Sequence, residues 1–127
     1  MNLKEFVQQT RDQGPGPRMP SIFIGHGSPM NALADNAFTQ HLAELGRKLE
    51  RPKAVLVVSA HWLTPGRTMV SVNPRPETIH DFGGFPQELF DVQYPAPGAP
   101  DAGHRTAAAV KSFAVHEDHE MGLDHGA

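Results

Sequence analysis

The chain has 127 residues, a net charge of −3 at neutral pH and no cysteine. This length suffices for one domain with its own core, and the lack of cysteine excludes disulfides, thiolate metal ligands and cysteine nucleophiles. Only 11 residues are lysine or arginine, and they form no basic run, so no nucleic-acid partner is predicted. There is no membrane-length apolar run and no signal-like start, so we expect a cytoplasmic protein that does not bind membranes.

Residues 1–18 are predicted to form a short helix and a linker. The segment 2–11 has apolar residues at helical spacing, and Gly14-Pro15-Gly16-Pro17 would end the helix. The main domain is expected to span residues 19–127.

Two short apolar runs, at 19–24 and 53–59, predict buried parallel strands. Between them, a helix is predicted from Asp35 or Asn36 to about Glu50, because its apolar residues recur at helical spacing. The order strand, helix, strand implies a right-handed crossover that leaves the two strands parallel.

The rest of the chain continues this alternation. A third strand is predicted at 68–72, a helix capped by Asp101 at 101–113, and the start of another strand at 114–116. The stretch 73–100 is rich in proline, glycine and aromatic residues, and a long irregular stretch of this kind is usually functional. These elements predict an α/β fold with a mixed or mostly parallel sheet flanked by helices.

His26 and His61 each follow one of the first two predicted strands. The carboxyl ends of neighbouring parallel strands lie about 4.8 Å apart at one edge of a sheet, which is where ligands bind in open α/β sheets. The two imidazoles could therefore share an iron, zinc, copper or nickel ion. The alternative is that each is a polar residue at the rim of the sheet. A catalytic site needs a third ligand, which the remaining residues do not identify.

Other histidines are less informative. The sequence His-Glu-Asp-His-Glu at 116–120 lacks the His-Glu-x-x-His spacing of metalloproteases and is interpreted as a solvated polar segment. His41 and His104 lie on predicted helices and are interpreted as surface residues. The segment 78–86 is either a wall for a planar ligand or a glycine-rich turn whose phenylalanines pack in the core, with a slight preference for the turn.

Five short motifs follow one another along the chain: Ile24-Gly25-His26-Gly27-Ser28-Pro29-Met30, Ser59-Ala60-His61-Trp62, Thr78-Ile79-His80-Asp81-Phe82-Gly83-Gly84-Phe85-Pro86, Tyr94-Pro95-Ala96-Pro97-Gly98 and Leu123-Asp124-His125-Gly126. In this order they resemble the class III extradiol ring-cleaving dioxygenases, the LigB-like superfamily. The resemblance is greatest to the DOPA 4,5-dioxygenase branch, and it runs from about residue 19 to residue 127.

The resemblance implies a site for non-haem Fe(II), which zinc can also occupy. His26 and His61 match two of the family's metal ligands. His125 matches the histidine that lies beside the bound substrate and oxygen, and His80 matches part of the active-site surroundings, so both are predicted to be catalytic residues. The implied substrates are a catechol such as DOPA and dioxygen, both of whose atoms enter the product as the ring opens beside the diol.

Members of the family continue past the Asp-His-Gly motif, and their remaining metal ligands lie there. The chain is therefore interpreted as the N-terminal portion of a larger single catalytic domain, and we expect it to be inactive alone. A zinc-dependent hydrolase that uses the same histidines, and a non-catalytic metal-binding member of the fold, remain open as alternatives. The oligomeric state is not predicted.

Overall fold

The computed structural model describes residues 18–127, so the helix and most of the linker predicted at 1–18 lie outside the described residues. The elements in chain order are a 3₁₀ helix (Pro29–Ala32), α1 (Ala37–Lys48), β1 (Thr68–Ser71), α2 (Gln87–Phe90), α3 (Pro100–Ala109) and β2 (Val115–Asp118). Helices combined with a parallel strand pair confirm the predicted α/β class. Within the described residues, no helix has the length and apolar character needed to cross a membrane.

Strands β1 and β2 pair in parallel, in a register that runs from Thr68 opposite Val115 to Ser71 opposite Asp118. Parallel strands need a crossover connection, and α3 lies on that connection and packs against both strands. The helix approaches β1 through buried Gly103, where a Cβ atom would lie 2.8 Å from Val72 Cγ1. A larger residue at 103 would therefore push α3 away from the sheet.

The sequence places the helices better than it places their caps. Helix α1 begins after Asn36, whose side chain accepts a hydrogen bond from the Thr39 backbone and completes a capping box. Helix α3 is preceded by Ala99, which offers no side-chain cap, so the prediction that Asp101 caps this helix is wrong. Pro100 begins it instead, since proline suits the first helical turn.

The strands predicted at 19–24 and 53–59 are absent from the structure, and so is the crossover that would join them. A strand exists only where a neighbouring strand accepts and donates its hydrogen bonds, and no described segment pairs with these two. Their apolar side chains face solvent: Phe23 is 99% exposed and Val58 is 92% exposed. The later strands, β1 and β2, form where they were predicted.

The stretch 73–100 is irregular, as predicted, apart from the single turn of α2. An isolated parallel bridge joins Thr78 to Leu123, with the backbone N–H of Ile79 donating to the Leu123 carbonyl at 2.7 Å. This bridge brings the segment that carries His80 beside the segment that carries His125.

Candidate functional site

Three histidines meet on one side of the described chain. One ring nitrogen from each of His26, His61 and His125 lies within 4.8 Å of the others. Nε2 of His26 is 2.8 Å from Nε2 of His61, and their ring centroids are 5.0 Å apart. His26 and His125 are half-buried, whereas His61 is exposed. The two histidines that follow the apolar runs therefore lie together although the runs themselves form no strands.

The spacing of these nitrogens suits a shared metal ion. Two nitrogens bound at right angles, each about 2.0–2.1 Å from one ion, lie about 3 Å apart, close to the 2.8 Å between His26 and His61. Neutral imidazoles are good ligands for iron and zinc. The donor set therefore fits a divalent transition-metal ion.

His125 is held by Asp81. A carboxylate oxygen of Asp81 accepts a hydrogen bond from the His125 backbone N–H at 2.9 Å and also lies 2.9 Å from the ring atom Nδ1. The direction of that second contact departs from hydrogen-bond geometry, so the buried Nδ1 has no hydrogen-bond partner among the described residues. Partial burial raises the pKa of Asp81, but the backbone N–H and the ring of His125 outweigh it and hold this pKa below its usual value.

The three rings are not arranged alike. The rings of His61 and His125 have centroids 3.9 Å apart and planes 35° apart, which is close to stacking. The ring of His26 meets that of His125 edge-on, at 84°. The three rings therefore face their shared space at different angles.

A buried carboxylate lies behind the histidines. Asp124 is 7% exposed, and its Oδ1 accepts hydrogen bonds from the Ser59 hydroxyl at 2.7 Å and from the Gly126 backbone N–H at 2.9 Å. The Ser59 hydroxyl in turn accepts from the backbone N–H of His61 at 3.2 Å. The sequence analysis gave neither Ser59 nor Asp124 a role. The available signal was their position, since each lies within two residues of a site histidine.

An aromatic pocket of about 250 Å³ opens beside His125. Phe82 lines it and packs edge-on against the His125 ring, with centroids 5.8 Å apart. Phe82 also packs against Phe90 at 5.1 Å, so the segment 78–86 forms a pocket wall and an aromatic cluster at once, where the sequence had slightly favoured core packing alone. His80 lines the same pocket, and its Nε2 lies 2.7 Å from the Val92 carbonyl.

The family described as "Catalytic LigB subunit of aromatic ring-opening dioxygenase" matches residues 19–127. The chain belongs to this LigB family. The resemblance drawn from the five motifs is thereby confirmed.

Relatives in bacteria, plants and fungi agree with this assignment. The chain is 53% identical over 110 residues to the 4,5-DOPA dioxygenase extradiol of Escherichia coli (strain K12), a match that covers 86% of this chain and 40% of that protein. It is 40% identical over 117 residues to the protein of the same name from Beta vulgaris, covering 84% of the chain and 42% of the relative. It is 31% identical over 121 residues to the dioxygenase tasH of Hapsidospora irregularis, covering 84% and 37%. The chain thus spans about two-fifths of the length of these relatives.

LigB dioxygenases are metal-dependent, and the group formed by His26, His61 and His125 could hold a metal ion in this member. Two further histidines, His41 and His104, are exposed on helices, in agreement with the sequence analysis. The polar segment 116–120 is mostly exposed, as predicted, and its first three residues belong to β2.

Proposed function

We propose that the complete protein is a metal-dependent extradiol dioxygenase. It cleaves the ring of a catechol beside the two hydroxyls and adds both atoms of dioxygen, which gives a ring-opened semialdehyde. The observation that carries this proposal is the convergence of three imidazoles beside an aromatic pocket in a chain of the LigB family.

His26 and His61 are proposed as metal ligands, with Fe(II) as the working ion and zinc as an alternative occupant. Their facing Nε2 atoms support this assignment. A facial site of this kind uses three protein ligands, and we expect the third from the part of the family's length that the chain does not match. When bound, the ion would lower the pKa of the catechol hydroxyls and let electron density pass from the ring to dioxygen.

His125 is proposed to move protons rather than to bind the ion. Its ring packs edge-on against Phe82 in the wall of the pocket, which supports this role. The Asp81 carboxylate lies 2.9 Å from Nδ1, and a proton on that nitrogen would leave Nε2 to accept or donate a proton. His125 also lines the pocket, so a bound substrate would lie against it.

The pocket is proposed to hold the aromatic ring of the substrate. Its volume of about 250 Å³ lies below the roughly 300–1,000 Å³ of most ligand sites, which favours a substrate with one ring. The side chains of Phe82 and Tyr94 line it, and aromatic side chains pack well against a planar ring. His80 donates from Nε2 to the Val92 carbonyl, which fixes its ring in the wall. A DOPA-like catechol is the proposed substrate, since five of the relatives have DOPA in their names.

A chimera tests this function. The chain replaces the matching 110 residues of the E. coli relative, and the purified protein is loaded with Fe(II) or with zinc. With DOPA and other catechols we expect one dioxygen consumed per catechol, and a yellow semialdehyde, in the iron-loaded chimera only. His61→Ala in the chimera and the 127-residue chain alone should both consume none.

The same assay separates the alternatives. Product formation without dioxygen would indicate a hydrolase. A folded, iron-loaded chimera that consumes no dioxygen with any catechol, while the parent E. coli protein does, would contradict the proposal.

A further inference from the structure

We propose that Ser59 and Asp124 are positioning residues that fix His61 relative to His125. Their hydrogen bonds tie the loop that carries His61 to the segment that carries His125, although the two lie far apart along the chain. The inference rests on the proposed metal site, since it assigns the two residues to holding one ligand and its neighbouring proton-transfer residue in place.

Burial makes the Asp124 carboxylate dependent on its partners. At 7% exposure it is the buried charged side chain among the described residues, and a buried carboxylate is costly unless hydrogen bonds replace its lost water. Oδ1 finds them in the Ser59 hydroxyl, 65 positions away at 2.7 Å, and in the Gly126 N–H at 2.9 Å. Because the buried carboxylate is stable only with its hydrogen bonds, the bond to Ser59 holds the segment around Ser59 against the segment around Asp124.

Ser59 also connects Asp124 to the backbone of His61. Its hydroxyl donates to Asp124 and accepts from the His61 backbone N–H at 3.2 Å, so one oxygen joins the carboxylate to the main chain of the proposed ligand. His61 is itself exposed, so burial alone does not hold its position. The hydrogen bond from its backbone N–H ties it to the Asp124 segment.

Gly126 shows how closely the two segments approach. A Cβ atom at this position would lie 2.7 Å from Ser59 Oγ and 2.8 Å from His61 Cδ2, both shorter than van der Waals contact. A larger residue at 126 would therefore force the side chain of Ser59 or His61 to move. The hydrogen bonds and this close contact constrain the same pair of histidines.

Four variants of the chain separate positioning from general stability. Ser59→Ala removes the hydrogen bonds of the Ser59 hydroxyl to Asp124 and to the His61 N–H. Asp124→Ala removes those that the carboxylate accepts from Ser59 and Gly126, whereas Asp124→Asn keeps an acceptor oxygen in a side chain of the same size. Ser71→Ala is the matched control, because it removes a hydroxyl that donates to the Met121 carbonyl at 3.0 Å, near the same segment but away from the histidines. Each variant is made in the chimera with the E. coli relative, which should supply the third ligand. The proteins are titrated with Co²⁺, and the affinity, visible absorption spectrum and melting temperature are recorded.

We expect Ser59→Ala and Asp124→Ala to bind Co²⁺ about 10- to 100-fold more weakly, in the range that loss of outer-sphere support typically costs, and with an altered spectrum. Asp124→Asn should recover most of the affinity and the wild-type spectrum. Ser71→Ala should lower the melting temperature and leave the Co²⁺ affinity and the spectrum unchanged. Wild-type affinity and spectrum in Ser59→Ala and Asp124→Ala would overturn the proposal, and so would an equal loss of affinity in Ser71→Ala.

A metal-free measurement distinguishes this inference from the metal site on which it rests. In the chain without metal, amide hydrogen exchange should be slow at His61 and Gly126, and fast at His61 in Ser59→Ala. Fast exchange at both amides in the wild type would overturn the positioning role. Slow exchange together with no Co²⁺ binding by the chimera would contradict the proposed metal site and support the placement of the two histidines by Ser59 and Asp124.

Discussion

The rings of His125 and His80 lie beside acceptors of different charge. Nδ1 of His125 lies beside the Asp81 carboxylate, whereas Nε2 of His80 lies against the neutral Val92 carbonyl. A carboxylate stabilises a protonated imidazole, and a carbonyl only orients a neutral one. These neighbours support the proposed roles of His125 in proton transfer and of His80 in the pocket wall.

The first prediction separates the metal ligand from the proton-transfer residue in the iron-loaded chimera. His61→Ala should lose its iron and with it all dioxygen uptake. His125→Ala should keep its iron and slow turnover by a factor of about 10² to 10⁴, the usual contribution of general acid–base catalysis. Iron content by elemental analysis and kcat are measured side by side, with exposed His41→Ala as the control that should change neither. Iron loss in His125→Ala would make that residue a ligand.

The second prediction concerns pH. Because the Asp81 pKa is lower in the folded chain than its usual value, the charged carboxylate stabilises the fold above about pH 4, the usual pKa of aspartate. That contribution is lost as the pH falls through the folded pKa. In the chain without metal, Asp81→Asn should therefore be less stable than the wild type at pH 6, and the difference should shrink towards pH 2.5. Urea unfolding at the two pH values measures it, and a difference independent of pH would contradict this origin.

Site residues could be predicted from the sequence only where a pattern in the neighbouring residues pointed to them. His26 and His61 were recognisable because each follows an apolar run. His125 carried no such pattern and was found only through the family motif. The bond between Ser59 and Asp124 was not predictable, because it joins positions 65 residues apart and polar pairs at that separation leave no periodic pattern.

At the scale of elements, the sequence predicted those that find a partner within the described chain. Strands β1 and β2 pair with each other, and α3 covers them, so local pattern and observed structure agree. The runs at 19–24 and 53–59 have a stronger apolar pattern yet stay unpaired. Composition indicates that a segment can be a buried strand, but only a neighbouring strand makes it one.

The third prediction follows from these unpaired runs. Exposed apolar side chains on unpaired backbone favour association, so we expect the chain alone to self-associate and to bind a hydrophobic dye. Phe23→Ser with Val58→Ser should reduce both effects without lowering the free energy of unfolding, because these side chains are 99% and 92% exposed. Val70→Ser is the contrasting variant, since it alters a core residue that is only 8% exposed and should cost about 1–3 kcal/mol.

Sedimentation velocity and dye fluorescence measure these effects. The chimera should show neither, since we expect the remaining length of the relative to cover the two runs. A monomeric chain that binds no dye at any concentration would contradict the prediction.

At the scale of the whole molecule, the described residues bring together a histidine group, an aromatic pocket and a family match over residues 19–127. The core is small, with Val70, Val72 and Leu89 as its buried apolar residues among those described. The chain covers 40% of the E. coli relative, and we propose that a complete site also needs residues equivalent to the unmatched part of that relative.

Isotope labelling tests whether the site opens an aromatic ring with both atoms of dioxygen. The iron-loaded chimera is given DOPA and ¹⁸O₂, and the aldehyde is reduced at once with borohydride so that its oxygen does not exchange with water. Mass spectrometry should find two ¹⁸O atoms in the ring-opened product, and no ring-opened product in His61→Ala. A product that carries one ¹⁸O atom or none, or unchanged ring opening in His61→Ala, would contradict the account.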